Sequence, residues 1–167
     1  MEAGFSLGSN IGNRQDSLHR AMEALMALDD VELAAKSRLY ETRPVDVREC
    51  YKDMVFLNAV LIFESVKTPF EWLSAVQQIE SSMWRRRGQH ANDPRTIDID
   101  IIFTGSLVIN EEKLTIPHPR WQRREFVVRP LADIRPDLKL PGAKMSVKEL
   151  LDAFGDTGNA KLVSEDW

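Results

Sequence analysis

Cysteine is nearly missing from this chain: Cys50 is the only one. One thiol excludes an intrachain disulfide framework and makes a reducing, cytoplasmic setting the expectation. Cys50 lies in a charged stretch with no base beside it, so it reads as incidental. Long apolar runs are missing too, and nothing approaches the ~20 residues that cross a bilayer. The N-terminus lacks a charged segment followed by an apolar one, so no signal peptide is expected. Positive charge is not in excess. A net charge of −4 speaks against a general nucleic-acid binder, which is usually basic. Internal repeats, low-complexity stretches and linkers are absent. That leaves one domain over residues 1–167, with a polar tail from about 156 expected to be loose. The turn Gly8-Ser9-Asn10-Ile11-Gly12-Asn13 lacks a following Gly-Lys-Ser/Thr and so is not a P-loop. No Ser/His/Asp or Cys/His nucleophile set is visible.

What is present is focused charge. The arginines gather in residues 85–95 and 120–129. A mildly acidic protein with two concentrated positive segments suits a small polyanion such as a nucleotide. Between those segments lies Asp93-Pro94-Arg95-Thr96-Ile97-Asp98-Ile99-Asp100-Ile101-Ile102-Phe103. Ile97, Ile99, Ile101 and Phe103 alternate, which predicts a strand with these four on one face. Asp98 and Asp100 then share the other face, about 6.5 Å apart at roughly 3.3 Å per residue. Two neighbouring carboxylates need cations or solvent. Mg²⁺ suits such a pair, because it takes one or two carboxylates together with water and substrate phosphates. A solvated edge face would also accommodate them; the flanking arginines and the apolar face beneath favour the metal.

The rest of the chain supplies the frame. Ala3, Phe5 and Leu7 alternate as a first strand. Asn13 can cap a helix whose stripe is Leu18, Ala21, Met22, Leu25 and Leu28, with His19 on its polar side. Val31 to Leu39 alternates as a second strand, and residues 40–53 read as a long loop. Met54 to Phe63 is apolar on both faces except for Asn58, which fits a central strand carrying a buried amide in need of partners. That partner could be a neighbouring loop or a ligand's polar edge. Thr68, Pro69 and Glu71 open a second helix through a capping box. Its expected stripe is Phe70, Leu73, Val76, Ile79 and Met83. After the Asp-x-Asp strand, two prolines flank His118 and restrict where its ring points. Residues 126–131 read as a short helix or turns, and Ser146 with Glu149 opens a last helix. The order β-α-β-β-α-β indicates an α+β, ferredoxin-like sandwich: an antiparallel sheet with helices packed on one face.

Several segments taken together resemble the 6-hydroxymethyl-7,8-dihydropterin pyrophosphokinase family. They are Leu7-Gly8-Ser9-Asn10-Ile11-Gly12-Asn13, Tyr40-Glu41-Thr42 with Pro44, Phe56-Leu57-Asn58-Ala59, Pro94 to Asp100, Ile116-Pro117-His118-Pro119-Arg120, and Arg124-Glu125-Phe126-Val127 with Pro130-Leu131. The resemblance implies transfer of a pyrophosphoryl group from ATP to the pterin's hydroxymethyl oxygen, releasing AMP. It implies Asp98 and Asp100 as ligands of two Mg²⁺ ions, and Arg85, Arg87 and Arg95 as the arginines gathering the transferred phosphates. It implies Glu80, Ile101, His118 and Arg124 on the ATP side, and Thr42, Val45, Phe56, Asn58 and Phe126 around the pterin. It implies a monomer acting on ATP and the pterin, with no nucleic acid and no membrane. The chain departs from the pattern at Asp93 for a usual glycine, Asn92 for an aromatic residue, Trp84 for a glycine and Arg43 for a proline. Two other classes share parts of this reading. One is another Asp-x-Asp metal-dependent nucleotidyl or glycosyl transferase. The other is a ferredoxin-like nucleic-acid-binding module, which needs paired exposed aromatics where only Phe56 stands.

Overall fold

The computed structural model describes residues 1–44, 51–83 and 95–167. Its elements are β1 (Glu2–Ser9), α1 (Arg14–Met26), β2 (Val31–Lys36), β3 (Leu39–Thr42), β4 (Phe56–Ser65), α2 (Pro69–Ser82), β5 (Asp98–Thr104), β6 (Ile109–Glu111), β7 (Leu114–Ile116), α3 (Glu125–Ile134), α4 (Val147–Phe154) and β8 (Ala160–Ser164). The main sheet runs β5-β1-β4-β3-β8, with β2 also on β4, and every pairing is antiparallel. β6 and β7 form a separate hairpin. The α+β ferredoxin-like expectation is met.

Local chemistry accounts for the starts of the helices. Asn13 Oδ1 accepts from the Asp16 N–H at 3.3 Å. At α2, Thr68 Oγ1 accepts from the Glu71 N–H at 3.3 Å, and Glu71 Oε2 accepts from the Thr68 N–H at 2.7 Å. Ser146 and Glu149 repeat that reciprocal pair at α4. Each arrangement satisfies backbone donors that a helix leaves orphaned.

The strand period sorts the core into two. Ala3, Phe5, Leu7, Leu57, Ala59, Leu61 and Phe63 pack under α1 and α2. Trp72 wedges between Phe5 and Phe63, with ring centroids at 4.7 and 6.2 Å. The buried stripe of α2 is therefore Trp72, Val76, Ile79 and Met83, and Phe70, expected within it, is exposed. The indole fills the space at the sheet's centre, which turns Phe70 outward.

The opposite face is apolar as well. Val60, Ile62, Ile102 and Phe103 pack there against Val127, Val128, Leu131 and Val147 of α3 and α4. Helices thus cover both faces rather than one, because leaving that second apolar surface wet would be unfavourable. Phe103 lies on this second face, contrary to the alternation read from the sequence. A β-bulge between Gly4 and Phe5 sets Gly4 opposite Phe103 and Phe5 opposite Ile101, so Ile102 is the extra residue and the side-chain phase shifts. The Phe103 ring then lies over Gly4, where a Cβ would come within 2.2 Å of it.

Three further expectations change. The strand read over Val31–Leu39 breaks at Ser37, whose Oγ accepts from the Val60 N–H at 2.8 Å. β2 and β3 lie along successive parts of β4, and Tyr40, Glu41 and Thr42, read as the start of the 40–53 loop, belong to β3 because their backbone pairs with Asn58, Leu57 and Phe56. The tail expected to be loose forms β8 against β3, and Trp167 is buried, donating from Nε1 to the Ser37 carbonyl at 2.9 Å. An edge strand and an indole burial outweigh the polar composition of the tail.

Candidate active site

On the second face, β1 is nearly bare of side chains. Gly4, Ser6 and Gly8 point away from α1 and α2, and toward the far end of β1 the sheet is not filled. There a cavity of about 220 Å³ opens. Ser6 and Gly8 border it from β1, Asn58 and Phe56 from β4, Thr42 from β3, Asp98 and Asp100 from β5. Arg120, Arg123, Arg124 and Phe126 close it from the start of α3, with Arg43, Pro44 and Arg95 at the rim. A second hollow of about 280 Å³ lies between β5 and the C-terminal half of α2, and Val76, Gln77, Glu80 and Ile99 line it. Arg95, Asp98, Asp100, Arg120 and Arg124 border both spaces. The carboxylate pair is therefore a shared wall.

The amide wall of the first cavity is fixed. Asn58 is buried and donates from Nδ2 to Thr42 Oγ1 at 2.7 Å. Its Oδ1 turns toward Gly8, where a Cβ would stand 3.1 Å away. Glycine at that position leaves room above the amide and beside Phe56. Phe56 and Phe126 provide apolar surface, and the Arg124 guanidinium lies 5.3 Å from the Phe126 ring. A flat, partly apolar heterocycle with a donor–acceptor edge fits such walls.

The polar wall is a chain of charge pairs. Arg95 Nη1 donates to Asp98 Oδ1 at 2.9 Å, and Arg124 Nη1 donates to Asp100 Oδ2 at 2.7 Å. His118 Nε2 lies 3.9 Å from the same Asp100 oxygen and 3.4 Å from Arg124 Nη1. The backbone fixes this histidine: its N–H donates to the Ile102 carbonyl at 2.8 Å, and its Nδ1 accepts from the Arg120 N–H at 3.2 Å. Burial pushes the imidazole below its ordinary range, and Arg124 and Arg120 act the same way against the opposing pull of Asp100. His118 is thus biased to the neutral form. Glu80 is buried and accepts from the Ile99 N–H at 3.0 Å along the outer edge of β5. Asn10 holds Arg95 in place, accepting from its N–H at 2.8 Å. Among the described residues the buried Arg95 Nε meets no hydrogen-bond partner, which suits a donor to an anionic oxygen.

Among the described residues five arginines and two aspartates line the first cavity, an excess of positive charge that suits phosphate. Among the described residues no cluster of three or more His, Cys, Asp or Glu side chains could enclose a metal ion by itself. Asp98 and Asp100 still fit Mg²⁺. The ion prefers hard oxygen donors and completes its shell with water and substrate phosphate, so a two-carboxylate wall open to two cavities suffices.

Most residues singled out in the sequence meet here. Thr42, Phe56, Asn58, Arg95, Asp98, Asp100, Arg124 and Phe126 line the first cavity, Glu80 lines the second, and His118 backs the shared wall. Ile101 is not brought in. It is buried in the core under α1 and α2, and Ile99 lines the second hollow instead, where the end of α2 leaves a gap. Arg85, Arg87 and Val45 lie outside the described residues. Asn10, Arg120 and Arg123 were not singled out. The arginine cluster at 120–129 was the available signal for Arg120 and Arg123; Asn10 lay within the Leu7–Asn13 segment of the resemblance, but its contact with Arg95, 85 positions away, had no local sign.

Comparison with known proteins identifies a family and a shared fold. Residues 4–136 match the model of the family described as 7,8-dihydro-6-hydroxymethylpterin-pyrophosphokinase (HPPK). The chain is 34% identical over 158 residues to the 2-amino-4-hydroxy-6-hydroxymethyldihydropteridine pyrophosphokinase of Haemophilus influenzae, covering 95% of this chain and 96% of that one. It is 40% identical over 131 residues to the protein of the same name from Bacillus subtilis, covering 78% and 75%. It is 38% identical to the folic acid synthesis protein fol1 of Schizosaccharomyces pombe, spanning 92% of this chain but only 20% of that protein. Among solved structures, Plasmodium falciparum HPPK-DHPS with pteroate superposes with a TM-score of 0.72 at 17% identity, covering 92% of this chain and 42% of that one. This last likeness is one of fold.

Proposed function

The chain belongs to the 7,8-dihydro-6-hydroxymethylpterin-pyrophosphokinase family, and we infer that its two cavities divide that family's reaction between them. The reaction is transfer of pyrophosphate from ATP to the hydroxymethyl group of 6-hydroxymethyl-7,8-dihydropterin in folate synthesis. In this reading the first cavity takes the pterin. Asn58 meets the ring's polar edge, and Phe56 and Phe126 cover its faces. The second cavity, beside Glu80, takes the nucleoside end of ATP, and the triphosphate crosses the shared wall. The observation that carries this division is that Asp98 and Asp100 border both spaces.

The chemistry is positioning and charge neutralisation, with no covalent enzyme intermediate. The pterin's primary alcohol oxygen attacks the β-phosphorus. A new O–Pβ bond forms as the alcohol's proton passes to solvent, the bond from the α-bridging oxygen to Pβ breaks, and AMP leaves with that oxygen. Asp98 and Asp100 would hold two Mg²⁺ ions, which supply Lewis-acid neutralisation of phosphate charge when bound. Arg95 and Arg124, each paired with one of those aspartates here, donate to phosphate oxygens as the anion arrives. Arg85 and Arg87 join them in this reading. His118, biased to the neutral form, contributes a hydrogen bond rather than a full charge. A monomer is part of the proposal, and no helix among the described residues is long and apolar enough to cross a membrane. A cytoplasmic setting is part of the proposal.

A coupled assay for AMP tests the reading. AMP release is expected to require ATP, Mg²⁺ and the hydroxymethyl pterin together. Release of ADP or of free pyrophosphate would reject it in favour of another transferase.

A further inference from the structure

The family match ends at residue 136, yet the chain returns to the site from well beyond it. Thr157, between α4 and β8, donates from Oγ1 to Glu125 Oε2 at 2.6 Å. Glu125 is buried, and its other oxygen accepts from Arg129 Nε and Nη2 at 3.0 and 2.6 Å. Both oxygens of the first residue of α3 are therefore held. That matters because this helix starts without a side-chain cap: Arg124 stands at the capping position and makes no capping hydrogen bond. The usual cap on a first turn is absent, and the carboxylate of Glu125 instead ties that turn to Arg129 one turn on and to Thr157 beyond α4.

Glu125 stands between Arg124 and Phe126, two residues of the first cavity. Past Thr157 the chain enters β8, where Ala160 pairs with Thr42, the residue whose hydroxyl accepts from Asn58. The C-terminal segment thus meets both ends of the pterin cavity, the start of α3 and the end of β3. We propose that Thr157 and Glu125 are positioning residues: the segment that carries Thr157 sets the first turn of α3, and through it the aim of Phe126 and Arg124 at the pterin. This rests on the assignment of the first cavity to the pterin. Small displacements of such groups matter, because reactivity falls steeply when reacting partners are held even about 1 Å out of place.

The test uses the full chain. Thr157→Val removes the hydroxyl and keeps the shape. It is expected to raise the KM for the pterin severalfold while circular dichroism stays unchanged. Thr157→Ser is expected to restore the wild-type KM, and Glu125→Gln to raise it in the same direction. Lys36→Met is the control. It breaks another of the tail's anchors, the ion pair of Lys36 Nζ with Asp166 at 3.0 Å, at the far end of β8. It is expected to lower the melting temperature and leave the pterin KM alone. An unchanged KM in Thr157→Val would overturn the proposal. So would failure of serine to restore it, or an equal rise in Lys36→Met, which would mean general loosening. Failure of the pyrophosphokinase reading itself would appear separately, as wild-type protein that makes no AMP.

Discussion

The two faces of the sheet differ in what the same strands put there. Under α1 and α2, β1 presents Ala3, Phe5 and Leu7, all fully buried, and the space is filled by large rings. On the other face, β1 presents Gly4, Ser6 and Gly8. Phe103 occupies the room over Gly4, whereas among the described residues Ser6 and Gly8 border a cavity. One strand thus builds a closed core with its odd residues and a cavity with its even ones. Filling is a stability device, and selective underfilling beside charge is a site. The difference predicts that substitutions on the first face cost folding, while those on the second cost chemistry.

The largest effect is expected at the shared wall. Asp98→Ala or Asp100→Ala should lower turnover by roughly 10³-fold, since metal and phosphate neutralisation is the dominant contribution to this chemistry. The circular dichroism spectrum should be retained. Near-normal turnover in both variants would contradict the assignment. Second, Trp72→Ala on the closed face should destabilise the fold by about 3–5 kcal/mol in a denaturant titration. Its folded fraction should keep the wild-type KM for the pterin, and a large rise in that KM would blur the distinction between the faces. Third, Gly8→Ala places a methyl 3.1 Å from Asn58 Oδ1 and 3.7 Å from Phe56. Pterin affinity should fall about tenfold, of the order a crowded pocket contact costs, with binding of a non-hydrolysable ATP analogue unchanged. Equal loss of both ligands would mean that Gly8 serves the strand rather than the cavity.

The smallest effect concerns the seam between α3 and the sheet. Tyr40 donates its hydroxyl to Asp133 at 3.0 and 3.1 Å from the two oxygens. Burial, with Asp133 beside it, pushes this phenol up from 10.0 to about 12. The folded state therefore holds the proton more tightly than the unfolded chain. That contribution to stability is complete below pH 10 and is lost as pH rises toward 12. Tyr40→Phe should remove it, so wild-type stability should fall more steeply than the variant's between those values. Parallel slopes would show that the seam contributes nothing through this group.

Much of the frame was legible because it rests on local rules. Thr68 and Glu71, and Ser146 with Glu149, mark helix starts through bonds made within three residues. Asp98 and Asp100 share a face because the strand period is two. Met54 to Phe63 is apolar on both faces, and β4 is indeed central, with α1 and α2 over one side and α3 and α4 over the other. What escaped depended on distant partners. Phe103 changes face because of a bulge opposite Gly4, a residue nearly one hundred positions away. Phe70 yields its place to Trp72 because the space lies between Phe5 and Phe63. Polar composition gave no sign that the tail would pair with β3, since an edge strand's bonding capacity resides in its backbone.

By itself, the order of residues determined the chemical inventory: a carboxylate pair on an alternating strand, arginines on either side, an amide in an apolar run and the capped starts of the helices. Only the tertiary structure decided that the carboxylates would wall two cavities at once, that Ile99 rather than Ile101 would line the second, and that Thr157 would come back to Glu125. The physical reason is range. Strand period and helix caps act over two to four residues, whereas register, bulges and cavities arise from packing between segments that sequence separation conceals.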